Sequence, residues 1–218
     1  MMWKRIPPMQ YSAWIPATLG APDIRCSGTS ETRAIALTFD DGPVPGHTEK
    51  LLATLREFGA HATFFQVGER VLKNPKLARQ VLNEGHEIGH HSFSHPRLGL
   101  MDNADVEEEM EKGLDAFTQA NIPAPRWFRP PFGSLHMSQR GIPRKYGMRI
   151  LYWNINARDY IPDATPDEVR ARIERGIKPG CIIVMHDFSC KTSTSLPLVC
   201  QTARDAGLKM VTVSELLG

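Results

Sequence analysis

The 218 residues are 41% hydrophobic and 23% charged, a balance that suits one folded domain and excludes a disordered chain. Lysine and arginine number 26 against 24 aspartates and glutamates, and a net charge of +2 makes no electrostatic case for nucleic acid or an anionic membrane as the main partner. No run approaches the roughly 18 apolar residues of a membrane span.

Residues 1–33 are interrupted by Pro7, Pro8 and Pro16 and hold no sustained periodicity, so they are expected to wrap the domain rather than build it. Lys4 and Arg5 are followed by no unbroken apolar run, which speaks against a signal peptide and leans the chain toward the cytoplasm. Cys26, Cys181, Cys190 and Cys200 form no CxxC pair, and free thiols are the expectation. From Ala34 the pattern alternates. Strand-like runs are predicted at 34–39, 62–67, 87–89, 126–128, 149–153, 181–185 and 209–213. Between them lie helix-like stripes: Leu51, Leu55 and Phe58; Val106, Met110, Leu114 and Phe117; Val169, Ile173 and Ile177. Gly59, Gly85, Gly147, Gly180 and Gly207 fall where helix ends call for a left-handed residue. Seven strands alternating with six helices imply parallel pairing through right-handed crossovers, in one domain over residues 34–218. No nucleotide-binding glycine motif is present.

Polar residues gather just after these strands. Asp40 and Asp41 follow the first, His90, His91 and His95 the third, Arg129 the fourth, Asn156, Arg158 and Asp159 the fifth, and His186 and Asp187 the sixth. Active sites of α/β barrels are built at that face, which favours a barrel-like sheet over an open one. Asp40 and Asp41 should point to opposite sides if the strand continues, although Asp-Gly-Pro is also ordinary turn chemistry. His91 and His95, four apart, can share a metal or can be surface and capping residues. Adding Asp41 makes a three-ligand set with open positions, the arrangement of catalytic zinc, which iron, cobalt or nickel can also use. Arg129 precedes two prolines, so Phe132 carries the first free amide of a rigid loop, a candidate oxyanion donor. The same loop could simply end in a surface arginine. His186 sits at the rim of a buried strand as a candidate functional or hydrogen-bonded core histidine, and Asp159 can orient it or cap a loop.

Taken in order, Thr38-Phe39-Asp40-Asp41-Gly42-Pro43, His91-Ser92-Phe93-Ser94-His95, Arg129-Pro130-Pro131-Phe132-Gly133, Asn156-Ala157-Arg158-Asp159-Tyr160 and Val184-Met185-His186 resemble the five motifs of NodB-type polysaccharide deacetylases, carbohydrate esterase family four. The resemblance spans residues 34–218 and implies a distorted (β/α)7 barrel, a NodB homology domain, that removes N-acetyl or O-acetyl groups from a carbohydrate with one divalent metal, zinc first. It implies Asp40 as general base, Asp41, His91 and His95 as metal ligands, His186 as general acid, Arg129 as the holder of Asp40 and Asp159 as the partner of His186. Asn156, Tyr160, Val184 and His90 depart from the family's usual Asp, Trp, Leu and Asn. Tyr160 and Val184 are expected with Phe132 along the substrate pocket, so these departures bear on substrate choice. A small-amide or cyclic-imide hydrolase and a non-catalytic carbohydrate binder are the alternative functions on the same scaffold. The implied partner is an acetylated sugar such as chitooligosaccharide or peptidoglycan; oligomeric state has no signature.

Overall fold

Short apolar strands bounded by glycine turns make a single parallel sheet, described by a computed structural model over residues 24–25, 27–28 and 33–218. Most of the segment expected to wrap the domain over 1–33 lies outside the described residues, as does Cys26. The strands are β1 (Ile24–Arg25), β2 (Ala34–Gly42), β3 (Thr63–Gln66), β4 (Glu87–His90), β5 (Trp127–Phe128), β6 (Arg149–Leu151), β7 (Ile155–Asn156), β8 (Ile182–His186) and β9 (Lys209–Val211). Their order is β1-β6-β5-β4-β3-β2-β8-β7, with β9 paired to the start of β2. All pairs are parallel. The sheet curls into the distorted (β/α)7 barrel, and among the described residues no bond joins its edges β1 and β7.

The α-helices are α1 (Thr48–Phe58), α2 (Gly68–Lys73), α3 (Pro75–Asn83), α4 (Asn103–Gln119), α5 (Ile142–Lys145), α6 (Pro166–Glu174), α7 (Cys190–Asp205) and α8 (Val213–Leu217). Two departures from the sequence reading have plain causes. Val213 begins α8 instead of ending a strand, because Thr212 and Glu215 form a reciprocal capping box there. Ile177 falls outside α6 yet packs on the same core, so its hydrophobic signal was real and its helical one was not. All five punctuating glycines have positive φ; Gly59, at 59°, closes α1 with its N–H on Leu55 and Arg56 carbonyls.

Strand β2 shows how the layers form. Ile35, Leu37 and Phe39 join the core between sheet and helices, while Ala34 and Ala36 face inward with Phe65, Trp127, Leu151 and Ile182. Thr38 and Asp40 continue that inward row by the two-residue period. The interior is therefore apolar at one end and polar at the C-terminal ends of the strands. Cys181, Cys190 and Cys200 are free, as expected. No helix among the described residues is long and apolar enough to cross a membrane.

Candidate active site

Asp40 ends the inward row of β2, buried, and faces His186 in register across the β2–β8 pair. Its Oδ1 accepts from Arg129 Nη1 at 2.7 Å. Arg129 is fully buried and wholly engaged: it also donates to Thr38 Oγ1, Leu151 O and Tyr152 O, and its guanidinium lies 4.1 Å from the Phe65 ring centroid. It is not the surface arginine that a rigid loop alone would allow.

The two carboxylates do not part as a continuing strand would require. Asp41 takes a left-handed φ of 70° and the register slips between Asp40 and Gly42, so both acids turn to the same mouth of the barrel. His91 Nε2 lies 3.9 Å from Asp40 Oδ2 and 3.4 Å from Asp41 Oδ1. His95 Nε2 lies 2.8 Å from the same Asp41 oxygen. Each imidazole is set by its surroundings. His91 Nδ1 donates to Arg129 O at 2.7 Å, which leaves Nε2 as the lone pair facing Asp41. The His95 turn is held by Ser92 Oγ, which accepts from His95 N–H, and by Glu109 of α4, which accepts from Phe93 N–H, Ser94 N–H and Ser94 Oγ. Without a metal, burial opposes the Asp41 charge, but hydrogen bonds and positive charge from protonated His91 and His95 would outweigh it and hold its pKa well below the usual carboxylate range.

The donor set fits a metal. Ligand atoms of Asp41, His91 and His95 all lie within 4.8 Å of one another. Asp41 Oδ1 is buried without a hydrogen bond, although two imidazole nitrogens stand beside it. Atoms that crowd together without bonding one another converge on a point between them, and two neutral imidazoles with one carboxylate are a zinc-type set. Iron, cobalt or nickel accept the same ligands.

On the other flank His186 ends β8. Asp159 binds it twice, Oδ2 accepting from its N–H at 2.7 Å and Oδ1 from Nδ1 at 2.8 Å. Thr192 of α7 donates to Asp159 Oδ2, and Ser189 Oγ to Asp159 O. Burial alone would lower the His186 pKa, but Asp159, with Asp40 and Asp41 beyond it, raises it to about 9. Tyr160 and Phe188, both part-exposed, place their rings 5.1 and 5.6 Å from that of His186. Val184, buried, lies two residues below His186 on the same inward row. Asn156 accepts from Arg158 N–H within its own turn.

Phe132 has a left-handed φ of 57° and rests its ring 4.7 Å from that of His95. Gly133 and Ser134 spend their N–H groups on Pro130 O and Pro131 O, leaving that of Phe132 as the donor of this loop. His90 is structural: its Nδ1 accepts from Ser92 N–H, its Nε2 donates to Met110 O, and burial lowers its pKa to about 3. Further groups to which the sequence reading gave no role join the site. Arg70 of α2 donates to Asp41 O, and Asp187 accepts from Thr48 Oγ1 while its N–H bonds Asp40 O. Burial pushes the Asp187 pKa up to about 7. The signal for Asp187 was its place beside His186; for Arg70 there was none, since it is one of many helix-surface bases.

A family model described as polysaccharide deacetylase matches residues 27–151. A peptidoglycan-N-acetylglucosamine deacetylase of Listeria monocytogenes is 31% identical over 94% of this chain, which spans only 43% of that protein. A chitooligosaccharide deacetylase of a Bradyrhizobium species is 34% identical over 76% of this chain and 79% of its own. A crystal structure of a peptidoglycan N-acetylglucosamine deacetylase in complex with 4-naphthalen-1-yl-N-oxidanyl-benzamide superposes with a TM-score of 0.88 at 26% identity, covering 94% of this chain and 97% of that one.

Proposed function

Because the chain belongs to the polysaccharide deacetylase family, we propose that it is a metal-dependent hydrolase removing N-acetyl groups from a carbohydrate of the peptidoglycan or chitooligosaccharide kind. One observation carries the reading. A base and an acid, each locked by its own partner, face each other across β2 and β8 beside three convergent metal ligands.

Asp41, His91 and His95 would hold the metal, most naturally zinc, which when bound polarises the acetyl carbonyl and makes a water acidic enough to ionise near neutral pH. Asp40 acts as general base through Oδ2, since Oδ1 is committed to Arg129. Arg129 also holds the Asp40 carboxylate in its aim. The Phe132 N–H donates to the carbonyl oxygen as negative charge gathers there. His186 gives its Nε2 proton to the departing nitrogen, with Asp159 holding the ring in the tautomer that does so. An amine leaves far more readily with that proton than without it, which favours amides over esters. Tyr160, Phe188 and Val184 shape the floor and rim against which the acyl group and sugar rest.

Acetate release from N-acetylated and O-acetylated oligosaccharides, assayed with and without a chelator, tests this reading. Release from the N-acetylated set that stops on chelation supports it. No release from any sugar, with hydrolysis of a simple amide or cyclic imide instead, replaces the substrate while leaving the chemistry.

A further inference from the structure

The mouth of the barrel has two unlike banks. The His186 bank carries Tyr160 and Phe188. The other bank carries a tilted pair of rings, His95 and Phe132, with the Arg97 guanidinium over Phe132, 4.4 Å from the ring centroid. Phe132 is 40% exposed, and its left-handed backbone turns that ring outward. Arg97 is half-buried, and among the described residues no carboxylate pairs with it. Other bases near the mouth are differently placed. Arg129 is consumed by Asp40, Arg70 by Asp41 O and Lys191 Nζ by Ile161 O, while Arg158 is exposed on the far bank.

An arginine held over an aromatic ring has less rotamer freedom left to lose, and its N–H groups remain open to a planar anion. Its place is two ring contacts from a metal ligand, about the reach of a substituent on the sugar whose acetamido group sits at the metal. We infer that Arg97, held over Phe132, reads a carboxylate carried by the glycan and so selects an acidic acetylated sugar over a neutral one. The inference rests on the deacetylase reading and refines it. A lactyl ether on the sugar ring, as in N-acetylmuramic acid, supplies such a carboxylate; a chitooligosaccharide does not.

The test compares binding of two glycans that differ in charge alone. One is a tetrasaccharide alternating N-acetylglucosamine and N-acetylmuramic acid; the other is the same molecule with its carboxyl groups reduced to alcohols. Titration calorimetry on the zinc-loaded protein should show the charged glycan binding about tenfold more tightly at low salt, as an exposed charge-assisted pair allows. Raising the salt to about 0.5 M should shrink that ratio. Arg97→Gln should bring it to about one, Arg97→Lys should keep part of it, and Arg158→Gln should leave it intact. The inference is overturned if wild type shows no preference, including by binding neither glycan. It is equally overturned if the preference survives Arg97→Gln, as it would were the metal itself holding the carboxylate, or if it vanishes with Arg158→Gln. Acetate release measured on the same samples judges the other claim: release without preference sinks only the role of Arg97, and preference without release sinks only the deacetylase.

Discussion

The residues before and after position 151 contribute different kinds of machinery to one site. The earlier part, the stretch matched by the family model, supplies Asp40, Asp41, His91, His95 and Arg129. Its loops are strained: Asp41, Ser92, His95 and Phe132 all have positive φ, and one buried carboxylate oxygen has no hydrogen bond. The later part supplies Asp159, His186, Ser189 and Thr192, linked by hydrogen bonds with every Asp159 oxygen engaged. On the proposed reading a cation would complete the first half, while the second is closed by its own hydrogen bonds. On that reading the orphaned acceptor marks where a ligand would bind, while the closed network holds the group that must keep a single proton in place.

Removing a metal ligand should break the comparison hardest. Asp41→Ala or His91→Ala should abolish zinc binding by atomic emission and cut acetate release on the order of 10⁴-fold, since charge stabilisation and the activated water are lost together. Next, His186→Ala should lower turnover by roughly 10²–10⁴-fold with zinc content unchanged, because general acid catalysis is worth that much. Loss of zinc in that variant would show that the later half also binds metal and the division is false.

Tyr160→Trp sharpens the contrast within the later half. It should move preference among acyl groups or sugars by roughly 10–200-fold while acetate is still released and zinc still bound, the scale of a pocket altered by one or two carbons. A uniform loss across substrates would mean that Tyr160 supports His186 instead of lining the pocket.

The smallest effect concerns protons. In metal-free protein the His186 resonance should titrate near pH 9, and in Asp159→Asn the midpoint should fall, since burial then acts with less opposition. The sign for stability follows. A folded pKa raised above the unfolded value of about 6.5 stabilises the fold fully below that pH, and the contribution fades as pH climbs through about 9. Urea midpoints of the metal-free protein at pH 6 and pH 9.5 should differ in that direction, and the difference should narrow in Asp159→Asn.

Much of this was legible in the chain. The ligand types and their placement after strands pointed to the face of the barrel, because strand period and residue chemistry are both written in sequence. The direction of Asp41 was not legible: a left-handed φ at a non-glycine residue is imposed by packing around it, here the β2 register slip and Arg70 on its carbonyl. The two-residue strands β1 and β7 carry too few residues to show a period. Ser189 and Thr192 were invisible for another reason. Their hydroxyls matter only because the start of α7 is folded over Asp159, a contact about thirty positions away that no local pattern encodes.

Strand β2 pairs with β8 along one edge and with β9 and then β3 along the other. On a ribosome those neighbours arrive at very different times. Asp40, Asp41, His91 and His95 are all translated while Asp159 and His186 are still unmade, and until β8 emerges one long edge of β2 has nothing to bond. The nascent chain carries, through that interval, an unpaired apolar strand edge of the sort that invites association between chains.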